Sequence, residues 1–395
     1  MKPFTFAWVT LLQTLLRVLP FPCRTGLRRI GTPDRHSPVL LTCNFQLTVE
    51  RVWRALKGID AYLLVANSRG VNVWCAATGG LLTNHDVLSV LKTSGIEDLV
   101  DHRNVILPQL AATGIEGGIV HRKSGWKVIW GPVDVAFLPA FLSAGLKTTV
   151  EMRTVAFPWP QRAEMAVAWA FPISLFALLV WPVWPQGVLP LAGLVWGLSF
   201  FIFLTFPCYE KFLRRGRKPV GFVFFDFGER GFLLLPWIAF LLTLVGWTLL
   251  GDGFSWPLIL RWSLSSLVVV LLLSLDLMGS TPLYKSGLHE DRLLGIELQS
   301  DRCKGAGFCE QVCPTHVFKV DHRQRMASLP GRRLCVQCGA CIVQCPFDAL
   351  YFQSPGGNIV RPEVVRRFKL NLLGKRMVKR SSSSAASNLT PPGSH

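Results

Sequence analysis

Four cysteines near the carboxyl end of the chain follow a spacing that is typical of iron–sulfur proteins. The stretch "CVQCGACIVQCP" contains Cys335, Cys338, Cys341 and Cys345 in the order C-x2-C-x2-C-x3-C-P. Three thiolates on one tight loop bind one cubane, and the fourth cysteine of such a run binds the other cluster of a two-cluster ferredoxin. Zinc also takes cysteine pairs, but the proline after the fourth cysteine and a second cysteine group upstream favour iron and sulfide.

The upstream group of cysteines departs from this spacing at one position. The stretch "CKGAGFCEQVCP" contributes Cys303, Cys309 and Cys313, and Ala306 occupies the position of the second cysteine. Because alanine has no lone pair for a metal, we predict one [4Fe-4S] cluster and a second, incomplete cluster. The second is [3Fe-4S], [4Fe-4S] with a foreign fourth ligand, or absent. The predicted ligands are Cys313, Cys335, Cys338 and Cys341 for the complete cluster and Cys303, Cys309 and Cys345 for the incomplete one.

One cysteine far from these two groups directly follows a tryptophan. In "RGVNVWCAATGG", residues 69–80, Cys75 stands between that tryptophan and a run of small residues. A lone cysteine is most often a small buried hydrophobe, whereas an accessible thiolate is a soft metal ligand. The stretch alone leaves both interpretations open. The other ungrouped cysteines, Cys23, Cys43 and Cys208, show no paired spacing, so we expect them to be structural and the compartment to be reducing.

Residues 38–155 alternate between short apolar runs and helical patterns. We predict strands in "PVLLT", "AYLLVAN", "NVILP", "GGIVH" and "KVIWG". We predict helices in "VERVWRALKG", "HDVLSVLKTSG" and "VDVAFLPAFLSAG", each of which closes on glycine. Apolar strands separated by helices indicate a mostly parallel sheet covered on both faces, as in Rossmann-like α/β folds. Ligands bind such sheets at the carboxyl ends of the strands, and Cys75 follows "AYLLVAN" by a short link.

Four long apolar segments follow, each close to the ~20 residues that a helix needs to cross the hydrocarbon core. They cover residues 165–184, 187–207, 231–251 and 257–278. The middle link "YEKFLRRGRKPVG", residues 209–221, carries five Lys and Arg residues, and the first and third links carry none. The positive-inside rule therefore predicts that both flanking domains face the cytoplasm across a four-helix transmembrane bundle. Core helices of a large soluble domain are the alternative, but four such helices in succession would be needed.

The composition also favours residence in a membrane. Half of the residues are hydrophobic, and the 14 Trp and 26 Phe suit a lipid interface. The formal charge of +18 lies largely beside the apolar spans and in residues 361–380, which favours the bilayer over nucleic acid as a partner. Apolar residues at helical spacing in residues 4–19 predict an amphipathic helix at the interface, with an uncleaved anchor as the alternative. The short run "FVFFDF", residues 222–227, is predicted at the interface, and the serine-rich end is predicted to be disordered.

These patterns divide the chain into six parts. They are an amphipathic amino-terminal segment (1–37), an α/β domain (38–160), a transmembrane domain (161–280), a linker (281–300), an α+β ferredoxin domain of the bacterial type (301–355), and a basic tail with a disordered end (356–395).

The sequence around Cys75 resembles one known family. "GVNVWCAATGG" is similar to the cap-helix motif of the mercury-methylating corrinoid proteins (HgcA), Asn-(Val/Ile)-Trp-Cys-Ala-(Ala/Gly)-Gly-Lys. "LLTCNFQLT", "GIDAYLLV", "HRNVILPQL", "SGWKVIWGPVDVAFLPAFLSAGLKTT" and "EMRTVAF" resemble family segments in the same order. The cysteine-rich domain resembles the two-cluster ferredoxin partner of that family, joined here to the same chain. The resemblance covers most of residues 38–355, and the corrinoid iron–sulfur protein of acetyl-CoA synthesis is similar more distantly.

The resemblance implies a cofactor, a ligand and a reaction. Cys75 would be the lower axial ligand of the cobalt of a cobalamin-type corrinoid, which the ferredoxin domain would reduce. The implied cofactor-binding stretch is Asn72, Val73, Trp74, Cys75, Ala76 and Ala77, whose two alanines would leave room for the ring. The implied reaction is methyl transfer from a methyl donor protein, or a methylated folate or pterin, to mercury(II) or another soft acceptor. The alternatives are a methyl carrier of one-carbon metabolism and a non-catalytic membrane electron-transfer protein.

Three departures from the family pattern bear on the acceptor. The Gly-Lys of the motif is Thr78-Gly79, one cluster cysteine is Ala306, and no cysteine follows Cys345. The ferredoxin of that family ends in a cysteine pair, which is expected to capture mercury(II). Because mercury(II) prefers thiolate ligands, we expect methylation of mercury by this chain to be weak or absent.

Overall fold

A computed structural model describes residues 3–17, 19–210, 231–250, 255–280, 294–354, 356–368, 370–371 and 374–375. The first eight helices are α1 (Pro3–Leu15), α2 (Gln46–Ala55), α3 (Val73–Thr78), α4 (Asn84–Thr93), α5 (Ile96–Leu99), α6 (Gly117–Ser124), α7 (Leu138–Ser143) and α8 (Val150–Arg153). The others are α9 (Trp159–Phe176), α10 (Val188–Leu204), α11 (Phe206–Tyr209), α12 (Gly231–Leu250), α13 (Trp256–Ser280), α14 (Phe308–Val312), α15 (Ala340–Gln344) and α16 (Pro362–Phe368). The strands are β1 (Gly26–Ile30), β2 (Val39–Cys43), β3 (Ala61–Ala66), β4 (Asn104–Pro108), β5 (Lys127–Gly131), β6 (Gly295–Leu298), β7 (Lys319–Asp321), β8 (Met326–Ser328), β9 (Leu350–Gln353), β10 (Ile359–Val360), β11 (Leu370–Asn371) and β12 (Gly374–Lys375).

A five-stranded sheet in the order β1-β3-β2-β4-β5 organises the amino-terminal domain. Strands β2 to β5 pair in parallel, and β1 pairs antiparallel with β3 at one edge. Both β2 and β3 are buried along their whole length. In β2, Leu41 and Cys43 pack into one core and Leu40 packs into another, so the sheet is covered on both faces. The predicted α/β domain with a mostly parallel sheet is therefore confirmed.

The order of the strands creates a crevice at one edge of this sheet. From β2 the chain moves to β3 on one side, and then crosses to β4 on the other side of β2. The connections leave β2 and β4 in opposite directions, which opens a space between the carboxyl ends of these two strands. Ligands of open α/β sheets bind at such switch points.

One predicted strand is a helix. The run "GGIVH" begins α6, in which Val120 is buried and residues 121–123 are exposed. This helix connects β4 to β5, because two parallel neighbours can only be joined by a crossover. It ends at Gly125, whose φ of 75° is a left-handed conformation that glycine adopts without strain. The short apolar run was compatible with a strand or a helix. The parallel pairing of β4 and β5 favours the helix, because the chain must cross over between them.

Strand β1 was not predicted. It lies within the residues that we expected to form only an amphipathic segment, and it pairs with Ala61–Val65 of β3. Two arginines in "GLRRI" interrupt the apolar pattern, and only Ile30 is buried. An edge strand exposes one side to solvent, so its sequence carries a weak hydrophobic signal.

All four predicted apolar segments contain helices. Within the described part of the chain, Trp159–Val180 and Pro185–Leu204 are long and apolar enough to cross a membrane, and the apolar stretches Trp237–Leu250 and Trp256–Val270 are shorter. Hydrogen bonds join neighbouring helices: the Ser199 hydroxyl donates to the Ala166 carbonyl, and the Trp237 indole donates to the Ser266 hydroxyl, both at 2.8 Å. The helices are thus present, and a four-helix membrane bundle remains a prediction.

Several predicted features lie outside the described residues. They are the run "FVFFDF", most of the basic middle link, most of the linker after α13, and the serine-rich end.

The carboxyl-terminal domain is a small α+β unit. Its three-stranded sheet has the order β10-β9-β6, and β7 and β8 form a hairpin. The helices α14 and α15 each follow a glycine with a positive φ, 82° at Gly307 and 77° at Gly339. These two left-handed residues turn each cysteine loop into a short helix, which glycine does at little steric cost.

Candidate cofactor cavity and cysteine loops

Helix α3 presents Cys75 at the protein surface. Asn72 caps this helix, because its Oδ1 accepts a hydrogen bond from the Cys75 amide at 3.0 Å. Its Nδ2 also donates to Cys75 Sγ at 3.4 Å, so one side chain fixes both the helix start and the sulfur. Gly79 packs against the backbone of Cys75, since a Cβ at position 79 would lie 2.7 Å from the Cys75 carbonyl oxygen.

Cys75 lines a cavity of about 780 Å³ at the carboxyl edge of the sheet. Thr42 of β2, Pro108 of β4 and Gly131 of β5 line it at the strand ends, so it occupies the crevice described above. Its volume falls within the ~300–1,000 Å³ of typical ligand pockets. On the α3 side, the lining residues are Asn72, Val73, Trp74, Cys75, Thr78 and Gly79.

The opposite wall comes from distant parts of the chain. Residues 154–157 line it, together with Glu164 near the start of α9 and Arg17 just after α1. Arg51 and Arg17 both pair with Glu164, at N–O distances of 2.5 and 3.4 Å. Burial lowers the pKa of the Arg17 guanidinium, and the Glu164 carboxylate opposes that shift. Because two guanidinium groups share one carboxylate, this corner of the cavity keeps a positive charge.

Two residues of the predicted cofactor-binding stretch lie elsewhere. Ala76 and Ala77 are fully buried and do not line the cavity, so their small size does not serve to admit a ring there. They are small for a different reason, which is close packing of α3 on the loop after β4. A Cβ on Gly114 would lie 2.7 Å from the Ala77 carbonyl oxygen. The cavity wall is formed by the other four residues of the stretch.

Four of the seven clustered cysteines lie together in the carboxyl-terminal domain. Burial raises the pKa of the Cys341 thiol, and the nearby Cys338, Cys335 and Cys313 raise it further. Backbone amides point at two sulfurs of this group: Val317 donates to Cys313 Sγ at 3.3 Å and Gln337 donates to Cys335 Sγ at 3.4 Å. These are the four cysteines that the spacing assigns to the complete cluster.

The other three cysteines share a small pocket. Cys303, Cys309 and Cys345 line it, and so does Ala306. Burial raises the pKa of Cys309 to about 12, and the neighbouring Cys345 and Cys303 also raise it. The structure thus brings the side chain of Ala306 to the same pocket as the three thiols, where the spacing would place a fourth cysteine.

The two cysteine groups do not suit a single metal ion. Among the described residues, no three His, Cys, Asp or Glu side chains converge closely enough to hold one ion. The thiolates of an iron–sulfur cubane bind different irons, so they stand further apart than the ligands of one zinc ion. Burial, amide donors to sulfur and an all-thiol donor set fit iron–sulfur clusters.

The carboxyl-terminal domain packs directly against the α/β domain. Val312 and Ala340 belong to the same buried cluster as the sheet residues, and Cys338 packs against it. Gln344 Nε2 donates to the carbonyl oxygens of Ala112 and Ile115 at 2.8 and 2.5 Å. Its Oε1 accepts from the Gly117 amide at 3.2 Å.

A second contact joins the carboxyl-terminal domain to the cavity wall. Thr154, which lines the cavity, has its hydroxyl 2.5 Å from His316 Nε2, three residues after Cys313. The Arg153 guanidinium donates to the Glu310 carbonyl oxygen at 3.3 Å. The residues that follow Cys309 and Cys313 therefore contact the segment that leads into the cavity wall.

Sequence reasoning located Cys75 and the seven clustered cysteines but missed several neighbours. Arg17 and Glu164 are separated by 147 residues, and Gln344 and Ala112 by 232 residues. No local sequence motif contains two residues that are so far apart in the chain. The one available signal was charge inside otherwise apolar helical runs, at Arg17 and Glu164.

The cavity fits a corrinoid by its donor set and its place. An accessible thiol, held by an amide donor, projects into a wide cavity at the switch point of the sheet. A thiolate is a soft ligand that suits a late transition metal. Asn72, Val73, Trp74 and Cys75 would hold the lower side of the ring.

Comparisons with known proteins find separate matches for the amino-terminal part of the chain and for the cysteine-rich domain. Residues 8–142 match the family of the CO dehydrogenase/acetyl-CoA synthase delta subunit, and residues 332–351 match the 4Fe-4S binding domain family. The gamma subunit of the acetyl-CoA decarbonylase/synthase complex of Methanopyrus kandleri is 41% identical over 125 residues, 31% of this chain and 27% of that protein. The gamma subunit from Archaeoglobus fulgidus is 37% identical over 125 residues, 31% of this chain and 26% of that protein. The chain thus spans about a quarter of the length of these relatives.

Proposed function

We propose that the chain is a corrinoid-dependent methyl-transfer protein that carries its own iron–sulfur electron donor. The observation that supports it most is the accessible Cys75 thiol on the wall of a cavity against which the cysteine-rich domain is docked. The similarity of residues 8–142 to acetyl-CoA synthase subunits supports the same conclusion independently.

In this proposal Cys75 would be the residue that binds the cobalt of the corrinoid. The Asn72 amide orients the sulfur, and the helix cap keeps both residues in place. When bound, the corrinoid supplies the metal centre that accepts and releases a methyl group. The protein positions that centre and excludes water through the apolar residues around it, such as Val155 and Phe157.

The seven clustered cysteines hold the iron–sulfur clusters. Cys313, Cys335, Cys338 and Cys341 would bind a complete [4Fe-4S] cluster, and Cys303, Cys309 and Cys345 would bind a [3Fe-4S] or a four-iron cluster with another ligand. The role of the domain is to deliver low-potential electrons to the cavity. The short contacts from Thr154 to His316 and from Arg153 to Glu310 keep the donor next to the acceptor.

The proposal has two candidate reactions, which differ in the methyl acceptor. Methyl transfer within one-carbon metabolism, from a methyl donor protein or a methylated folate or pterin, is favoured by the similarity to acetyl-CoA decarbonylase/synthase subunits. Transfer to mercury(II) or another soft acceptor is the second candidate. It is favoured by the Asn-Val-Trp-Cys sequence of residues 72–75 and by the exposure of the Cys75 thiol.

We also propose that α9, α10, α12 and α13 cross the cytoplasmic membrane and that both flanking domains face the cytoplasm. The length and apolar character of Trp159–Val180 and Pro185–Leu204 support the first part. The five basic residues of "YEKFLRRGRKPVG", residues 209–221, support the second.

The axial-ligand proposal is tested with anaerobically purified chain reconstituted with cobalamin. Cys75→Ala should change the visible spectrum and the cobalt hyperfine structure in electron paramagnetic resonance, while cobalamin still binds. Cys23→Ala is the matched control, because Cys23 lies outside the residues that line the cavity. Spectra of Cys75→Ala that equal those of the wild type would refute the ligand role, and a wild type that binds no cobalamin would refute the function.

The acceptor is identified by product analysis. The reconstituted chain is supplied with a methylated folate or pterin, a reductant and either mercury(II) or a one-carbon acceptor thiol. We expect a methylated thiol and little methylmercury. Robust methylmercury formation by the unmodified chain would make mercury(II) the leading acceptor.

A further inference from the structure

Helix α1 packs against the protein through Phe6, which contacts the buried core and the Arg54 guanidinium, and through several polar side chains. Gln13 is buried, and its Nε2 donates to Gln46 Oε1 at 2.9 Å while its Oε1 accepts from the Leu47 amide at 3.0 Å. Thr14 is buried beside it, and Arg17 points into the cavity toward Glu164. The inward side of this helix therefore carries amide, hydroxyl and guanidinium groups.

The outward side of the same segment is apolar. Trp8, Leu11, Leu12 and Leu19 are 56%, 50%, 47% and 51% exposed. A helix on a water-soluble surface instead turns a polar face to solvent. A contiguous apolar surface of this kind marks contact with another molecule or with lipid.

The neighbours of α1 indicate which of these contacts it makes. Glu164, the partner of Arg17, lies in α9, the first of the apolar helices, and that helix also has exposed apolar side chains at Trp159 and Phe176. The apolar face of α1 therefore adjoins a segment that is itself apolar enough to cross a bilayer. Arg24 and Arg29 follow α1 in exposed positions, and cations beside a bilayer are attracted to anionic lipid headgroups.

We propose that α1 lies in the lipid interface, with Trp8, Leu11, Leu12 and Leu19 among the acyl chains. Its polar side then forms the part of the cavity wall that carries Arg17, so lipid supports one wall of the cofactor cavity from outside. This inference rests on the membrane location proposed above. It adds that the amino-terminal helix is a lipid-embedded part of the site rather than a tether.

Photocrosslinking of the full chain in native membranes tests the inference. A p-benzoylphenylalanine residue replaces Trp8 in one variant and Leu12 in a second. Leu189 of α10, which is 83% exposed, is the positive control. Lys123 is the negative control, because it is exposed at the end of α6, at the opposite edge of the sheet from the cavity.

Mass spectrometry after irradiation separates the outcomes. We expect a mass shift of one phospholipid at positions 8, 12 and 189, and none at position 123. Lipid adducts at position 189 without any at positions 8 and 12 would overturn the inference and leave the membrane location intact. Adducts from positions 8 and 12 to a second copy of the chain, or to another segment of it, would also overturn it. Absence of lipid at position 189 as well would refute the membrane location itself.

Discussion

The amide N–H of Val155 donates a hydrogen bond to the carbonyl oxygen of Pro314 at 2.9 Å. Val155 lines the cavity beside Cys75, and Pro314 directly follows Cys313 of the four-cysteine group. One backbone hydrogen bond thus connects the wall of the cofactor cavity to the loop of the complete cluster. Cys338 of the four-cysteine group also packs against the buried cluster shared with the α/β domain.

Gln344→Ala should weaken the contact between the carboxyl-terminal domain and the α/β domain. The substitution removes three hydrogen bonds of one carboxamide, to Ala112, Ile115 and Gly117. Each buried backbone group left without a partner costs about 1–3 kcal/mol. Hydrogen exchange at residues 109–117 should accelerate, whereas the exposed Gln324→Ala should leave it unchanged. Equal protection in both variants would show that apolar packing and the contacts of residues 153–155 hold the domains together without Gln344.

Asn72→Asp should separate the two roles of Asn72. Aspartate caps helices as well as asparagine does, so the stability of the chain should change little. The donor to Cys75 Sγ is lost, however, and a carboxylate takes its place. We expect a shifted visible spectrum of the reconstituted corrinoid at nearly wild-type stability.

Asn72→Ala serves as the comparison for that variant. It removes the cap as well, and loss of a cap costs about 1 kcal/mol. Unfolding in denaturant measures the stability of both variants. A wild-type spectrum in Asn72→Asp would mean that the contact between the amide and the sulfur does not tune the site.

Ala306→Cys should complete the second cluster. The side chain at position 306 lies in the pocket with Cys303, Cys309 and Cys345, so a thiol there reaches the missing position. Iron analysis and electron paramagnetic resonance should change from one [4Fe-4S] cluster plus a three-iron or substoichiometric signal to two [4Fe-4S] clusters. Two full clusters already present in the wild type would mean that a residue other than cysteine supplies the fourth ligand.

Reporter fusions test the proposed orientation in the membrane. Fusions after Pro185 and after Asp252 should report the outside, and fusions after Lys218 and at the carboxyl end should report the cytoplasm. The reason is the cluster of basic residues in the middle link. The opposite pattern would place the cysteine-rich domain away from the reducing compartment, and its role as electron donor would fail.

The core of the fold could be predicted from the sequence because buried parallel strands carry unbroken apolar runs. β2 and β3 are buried along their whole length, β4 is buried at its three central residues, and these strands were predicted together with the partly exposed β5. The α6 run was misassigned because five residues with two glycines show no decisive period. β1 was missed because an edge strand can carry two arginines at little cost.

The candidate site was predictable only where its chemistry is local. Cys75 and its cap Asn72 lie three residues apart, and the cysteine loops have a fixed spacing. The far wall is different, since Arg17 and Glu164 meet only after α1 and α9 have packed together. Tertiary packing also assigned Ala76 and Ala77 to the core, although their size suggested contact with a ligand.

The docking of Gln344 on the α/β domain has a consequence for electron supply. A ferredoxin that diffuses freely must find its acceptor by collision, so its delivery depends on its concentration in the cell. In the proposed function, joining donor and acceptor in one chain replaces that encounter with a contact inside one molecule, as covalent linkage does for other paired domains. A contact of a few hydrogen bonds is then sufficient to keep the pair assembled. Turnover should therefore be independent of dilution, which distinguishes this chain from any system whose ferredoxin is a separate protein.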